Sequence, residues 1–321
     1  YGLSVYECDL NEVLRQSEKS GILYNATMIR QMITHDDITQ LPKIHFSGFQ
    51  DIQLMPGAEL IEALADSYHH VGLDDTIVVT RSNKRANIFN QGIRNMVLDR
   101  DEELSQGDIL MIVKNNYYWM EEERKKIKES EVKSNVAETA NHKVQSSKFQ
   151  VQSKEVQSNE LPAFLANGDR AKVLRVRRRI DLYGFRFATL LLQFPDYDNY
   201  ELEATVLLDT LTSEAPALTH EQQEQLFRQI EEDYQDIPLK ADRMKAIRQD
   251  QFFNALQVKF AYAVTCHKAQ GGQWAHVYVD QGYMTDDMLT PDYIHWLYTA
   301  FTRATEKLYL VNWPETQTAP S

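Results

Sequence analysis

The chain predicts an α/β protein in which a parallel sheet is interrupted by a small antiparallel barrel. Three observations carry that expectation. A short apolar run, Thr76–Thr80, is bounded by turn signals and followed by a helical stretch over 84–94, the strand–loop–helix order of a parallel sheet. From about residue 105 that order stops, and short strands follow one another across turns. The earlier pattern then returns with an apolar run over 258–265.

The elements follow in order. Residues 55–68 predict an amphipathic helix, because Leu60, Ile61, Leu64 and Ala65 share one face. The Ile-Val-Val centre of Thr76–Thr80 suits a strand buried on both faces. Residues 107–114 read as a strand with no crossover helix behind it. Further strands are expected over 171–176, 185–194 and 201–208, with Tyr183-Gly184 as a turn. Residues 121–160 are polar and repeat the triplet Val-Gln-Ser; they hold too little apolar surface to offset the entropy of ordering and predict a flexible excursion. A charged helix over 219–234 opens on Thr219, a good N-cap. A last strand is expected over 309–312. The expected units are 1–104 and 213–321 for the sheet and 105–212 for the barrel.

Composition narrows the function. The chain has 321 residues, 43% of them hydrophobic and 25% charged, the make-up of an ordinary globular protein. With 34 Lys and Arg against 47 Asp and Glu, its net charge of −13 argues against a general polyanion-coating protein, while leaving room for a local basic groove. Cys8 and Cys266 are too few and too far apart for a disulfide framework or a zinc site, and no metal site is expected. No apolar run approaches the ~20 residues of a membrane span, so the expectation is a cytoplasmic protein with no membrane partner.

Two stretches hold the most chemistry. Val264-Thr265-Cys266-His267-Lys268-Ala269-Gln270-Gly271-Gly272-Gln273-Trp274 puts hydroxyl, imidazole, ammonium and amide groups at the end of an apolar strand and then breaks into paired glycines. Leu297-Tyr298-Thr299-Ala300-Phe301-Thr302-Arg303-Ala304-Thr305 places an arginine in a Tyr/Thr-rich run that reads as helical. Val79-Thr80-Arg81-Ser82-Asn83-Lys84-Arg85-Ala86-Asn87-Ile88-Phe89-Asn90 is a strand giving way to a helix, and Asn11 to Gln16 with Ser20 to Leu23 lies near the start. Taken in their order along the chain, the four stretches resemble motifs of superfamily I DNA helicases, particularly the RecD-like branch: the first described resembles motif V, the second motif VI and the last motif IV.

The resemblance implies a RecA-like domain (2A) interrupted by an SH3-like barrel (2B), and a motor that couples ATP hydrolysis to movement along single-stranded DNA. It implies that Arg303 and Arg15 reach the ATP γ-phosphate, where positive charge stabilises phosphoryl transfer. Gly271, Gly272, Gln273 and Tyr298 are implied on the nucleotide side. Gln273 departs from the family's usual glutamate, which can touch the ribose. Thr265, His267, Lys268, Arg81, Ser82, Asn83 and Lys84 are implied on the DNA side, where such donors hold phosphates without reading sequence. Four of them have a plainer alternative: Arg303 as a helix-surface arginine, Arg15 as an i,i+4 partner of a nearby glutamate, His267 as a packing histidine and Asn83 as a helix cap. The basic stretch Lys172, Arg175, Arg177, Arg178 and Arg179 is either a single-strand groove or a strand edge guarded by charge.

Nothing in the chain matches the phosphate loop G-x-x-x-x-G-K-[ST], and no acidic strand end precedes Arg15 to hold Mg²⁺. In the family these lie N-terminal to motif IV. The chain, which begins at Tyr1, therefore reads as the C-terminal part of a helicase. ATP and Mg²⁺ would be bound mainly by an N-terminal RecA-like domain, and this part alone would be inactive. Expected partners are that domain, single-stranded DNA and, by association with exodeoxyribonuclease V alpha-like proteins of repair and recombination, nuclease or helicase subunits. The rival reading is a non-catalytic module that binds nucleic acid or protein.

Overall fold

The computed structural model describes residues 20–35, 40–140 and 161–320. In chain order these form α1 (Gly21–Thr34), β1 (Ile52–Met55), α2 (Leu60–His70), β2 (Thr76–Thr80), α3 (Asn83–Gly92), β3 (Ile109–Ile112), α4 (Tyr118–Ala140), β4 (Arg170–Leu182), β5 (Phe185–Phe194) and β6 (Tyr200–Leu207). They continue with α5 (His220–Asp233), α6 (Lys240–Arg248), β7 (Leu256–Phe260), β8 (Ala263–Thr265), α7 (Cys266–Ala269), β9 (Trp274–Asp280), α8 (Pro291–Phe301) and β10 (Ala304–Val311). Two compact units result: the described residues up to Asp99 with those from Tyr262 onward, and Arg100–Ala261. Among the described residues no helix is long and apolar enough to cross a membrane.

The first unit is a five-stranded, all-parallel sheet in the order β1-β10-β9-β2-β8. Its centre is dry: every residue of β2 is buried, and Val277, Val279, Leu308 and Leu310 of the adjoining strands are fully enclosed. Helices start where side chains satisfy their free amides. Ser20 caps α1, and the Asp51 carboxylate accepts from the Ser20 hydroxyl at 2.5 Å and from the Gly21 amide at 2.8 Å. Ser82, not Asn83, caps α3: its hydroxyl accepts from the Arg85 amide, and Asn83 is the first helical residue. Beneath α2 a buried polar chain joins helix to sheet. His276 Nδ1 lies 2.8 Å from Ser67 Oγ, which lies 2.7 Å from the Tyr278 hydroxyl, and Tyr278 stacks on Tyr309 at 4.3 Å.

The second unit is a closed barrel, β3-β4-β5-β6-β7. Its pairings are antiparallel except β6 with β7, which run parallel. The hairpin of β4 and β5 turns at Tyr183 and Gly184, both with positive φ (58° and 74°), the geometry that matches strand twist in a tight two-residue turn. The basic residues lie along β4, whose register shifts between Val173 and Arg175 and again between Val176 and Arg178. There Arg177 pairs with Glu203 at 2.7 Å and Arg179 donates to the Leu104 carbonyl at 2.7 Å. Phe185 and Phe187 are core, packed with Leu226 and Ile230 of α5 and Ile247 of α6.

Four expectations differ from this architecture. The polar stretch beginning at 121 is helical as far as Ala140 within α4, while 141–160 lies outside the described residues. The run 258–265 is two strands. β7 closes the barrel and β8 edges the sheet, the change falling where Ala261 N donates to the Ile109 carbonyl at 2.9 Å and Tyr262 O accepts from Val78 N at 3.0 Å. The barrel unit therefore extends to Ala261, beyond the 212 expected, and includes α5 and α6. Finally, Arg303 is not within a helix: α8 ends at Phe301, and Arg303 occupies the turn before β10.

Candidate functional site

The candidate residues gather at the two ends of one sheet. Register sets Thr80 of β2 level with Thr265 of β8 and with Asp280 of β9. The segments that follow these strands therefore leave the carboxyl edge side by side, the edge where open α/β sheets bind ligands. On the β2 side, Arg81, Ser82 and Lys84 are exposed and Asn83 is half-buried. The Arg81 guanidinium lies over the Tyr293 ring, 5.4 Å from its centre, and donates to Met284 Sδ. On the β8 side, Thr265 stands at the start of α7, His267 is exposed, and half-buried Lys268 has its pKa lowered by desolvation.

An ion pair not foreseen from the sequence braces this edge. Arg85 donates through Nε and Nη2 to the two carboxylate oxygens of Asp280, both at 2.8 Å. This bidentate bond raises the arginine's pKa. Asp280 is buried at the end of β9, so the pair ties the first turn of α3 to the neighbouring strand. Arg85 was visible only as one more cation in a basic loop; its partner lies far along the chain.

At the amino edge, β9 and β10 begin as neighbours, with Trp274 opposite Ala304. This brings Gly271, Gly272 and Gln273 beside Arg303. The Arg303 guanidinium donates from Nη1 to the Gly272 carbonyl at 2.9 Å, from Nε to the Thr299 carbonyl at 3.0 Å and from Nη2 to Thr302 Oγ1 at 3.0 Å. The glycines are required here. Gly271 has a φ of +86°, and a Cβ on Gly272 would sit 2.3 Å from the Trp274 ring. Gln273 is exposed, and Tyr298 is half-buried on α8. Burial pushes the Cys266 thiol up to about 12, partly offset by Arg303. Arg15 lies outside the described residues.

Gly271 to Gln273 and Arg303 border the first residue of the seven-residue β9, and Thr80 and Asp280 lie level at its last, while Cys266, next to Thr265, is near enough to Arg303 to feel its charge. One stretch, 266–273, passes from the carboxyl end of β8 to the amino end of β9 and contributes to both.

A family model described as the UvrD-like helicase C-terminal domain matches residues 260–311, which contain both of the most informative sequence stretches. That segment is thus similar to the C-terminal domain of superfamily I helicases. Among solved structures, a Pif1 helicase from Bacteroides in complex with ADP-AlF3 and ssDNA aligns at 11% identity over 97% of this chain and 53% of its own, with a TM-score of 0.41. A Pif1 helicase from Candida albicans aligns at 14% identity over 97% of this chain and 57% of its own, with a TM-score of 0.30. The chain spans little more than half the length of these proteins. A search of curated proteins gives no match.

Proposed function

We propose that this chain is the C-terminal, RecA-like half (2A, with an SH3-like 2B insertion) of an ATP-dependent single-strand DNA translocase or helicase of the RecD-like branch. The reading is carried by one observation: two chemically different residue sets occupy opposite ends of one parallel sheet, and the segment 266–273 belongs to both. The carboxyl edge offers what a phosphate backbone needs, exposed cations and hydroxyls on short loops. The amino edge offers an arginine and a glycine turn whose backbone a nucleotide can approach closely.

In this reading Arg303, and Arg15 from the stretch before α1, meet the γ-phosphate of an ATP–Mg²⁺ held by a partner RecA-like domain. Gly271, Gly272, Gln273 and Tyr298 border the nucleotide. Thr265, His267, Lys268, Arg81, Ser82, Asn83 and Lys84 hold the strand. When the nucleotide is bound, ATP supplies the reactive phosphoryl group and Mg²⁺ neutralises its charge. The fit is good in kind: the Arg303 head group is only part-buried and sits beside carbonyls it can exchange for phosphate oxygens. Because 266–273 touches both sets, a displacement at Arg303 would move Thr265 and Lys268 and advance the strand. Movement from 5′ to 3′, a cytoplasmic setting and association with nuclease subunits belong to the same proposal.

The Arg303 bonds to Gly272, Thr299 and Thr302 favour a second reading, in which the arginine is a brace and the chain a non-catalytic binding module. The test is ATP hydrolysis by a polypeptide joining this chain to a phosphate-loop domain. Stimulation by single-stranded DNA, lost with Arg303→Ala while DNA binding persists, supports the motor. DNA binding with unstimulated turnover, unchanged in the variant, leaves the binding module.

A further inference from the structure

We propose that Tyr283 is a stacking platform for a base of the bound single strand, set next to a phosphate grip formed by Arg81. The inference rests on the single-strand reading above and adds the group that takes the base.

Tyr283 lies on the loop that leaves β9 at the carboxyl edge, and at 79% exposed it is the most exposed large hydrophobic side chain among the described residues. Gly282, with a φ of +69°, turns the chain outward just before it. The loop is nevertheless anchored on both sides of the ring. Gln281 is buried and bonded to the Tyr293 hydroxyl at 2.5 Å and to Gln317 at 3.1 Å, and Met284 is buried against Arg81. An aromatic ring held in water by an anchored loop loses little freedom when a base stacks on it.

Its surroundings match that ligand. Arg81 is itself held over the Tyr293 ring, and the loops after β2 and β8 add Lys84 and Lys268 along the same edge. Single-strand grooves combine cations that follow the backbone with an aromatic face for the bases. Asp287 follows on the same loop, so the phosphates are expected on the Arg81 side of the ring rather than beyond it.

The test measures binding of a fluorescein-labelled oligothymidylate to the 321-residue chain by anisotropy at several salt concentrations, with intact and abasic strands. Tyr283→Ala should weaken binding about tenfold without changing the salt slope, because stacking carries no charge. Tyr283→Trp should retain affinity. An abasic strand should bind the wild type about as weakly as the intact strand binds Tyr283→Ala, and the variant should lose nothing further on it. Arg81→Ala should instead lower the salt slope by about 0.7, one phosphate contact on a single strand. Equal affinity of Tyr283→Ala and wild type, or an undiminished penalty on abasic strands, overturns the stacking role alone. Absence of any single-strand binding by the wild type overturns the underlying reading with it.

Discussion

The two edges of the parallel sheet handle arginine in opposite ways. At the carboxyl edge Arg81 is exposed, its guanidinium over the Tyr293 ring and beside Met284. At the amino edge Arg303 is turned inward onto the carbonyls of Gly272 and Thr299. A group that meets a long polyanion must be presented in advance. On the function proposed, a group that meets a nucleotide held elsewhere can stay satisfied until the phosphate arrives, which avoids leaving a half-buried cation without acceptors.

Loss of Arg303 should give the largest effect. In a polypeptide carrying a phosphate-loop domain, Arg303→Ala should lower single-strand-stimulated ATP turnover by about 10³-fold or more, the range of an arginine finger. Its affinity for single strands should change less than about twofold, because Arg303 is at the other edge. Near-normal turnover would mean that the amino edge is only a braced turn. Next comes Arg85→Ala, which leaves the buried Asp280 carboxylate unpaired. We expect about 2 kcal/mol of destabilisation in urea melts, below the ~3–5 kcal/mol of fully buried pairs because the guanidinium is partly exposed. Single-strand affinity should fall with it; an unchanged melt would show that the pair does not hold α3 in place. Gly272→Ala should cost about 1–2 kcal/mol, since the added Cβ overlaps the Trp274 ring. A variant as stable as wild type would mean the ring swings aside freely.

The smallest effect concerns pH. Burial lowers the pKa of His276 below its ordinary 6.5, so the unfolded chain takes up the proton first as pH falls. The stabilisation is complete above about 6.5 and is lost as pH drops through the folded value. The thermal midpoint should therefore fall between pH 7 and pH 5, and less steeply in His276→Gln. Equal slopes in the two proteins would assign the effect to other groups.

Local signals of the fold were legible, and long-range ones were not. Thr76–Thr80 and Phe185–Phe194 match their expected bounds because each is an apolar run with turn residues at both ends. The Thr219 cap was visible as a threonine with Gln222 three residues on, which form a full capping box. The division of 258–265 was hidden because Phe260, Ala261, Tyr262 and Ala263 are all buried, with no glycine, proline or polar residue to mark the change of partner. Helix α4 was hidden for another reason: the run of charged residues over 121–126 occupies every helical phase, so no apolar stripe announces it. Of the candidate site, residue types and spacing could be read from the chain, but the separation into two edges depends on strand order. That is why Asp280 escaped notice as the partner of Arg85.

Strand order also sets a timetable. Among the described residues β1 pairs with β10 alone, through registers such as Ile52 with Leu308, and β2 is separated from β1 by β9 and β10. A ribosome therefore releases the first two strands of the sheet long before their partners exist, and each waits as an unpaired apolar edge. Contacts of such long sequence separation form slowly and leave sticky intermediates. A chain that stops short of Val311 would lack the strand that fills the gap, so yield in a cell should depend on chaperone capacity during the last stretch of synthesis.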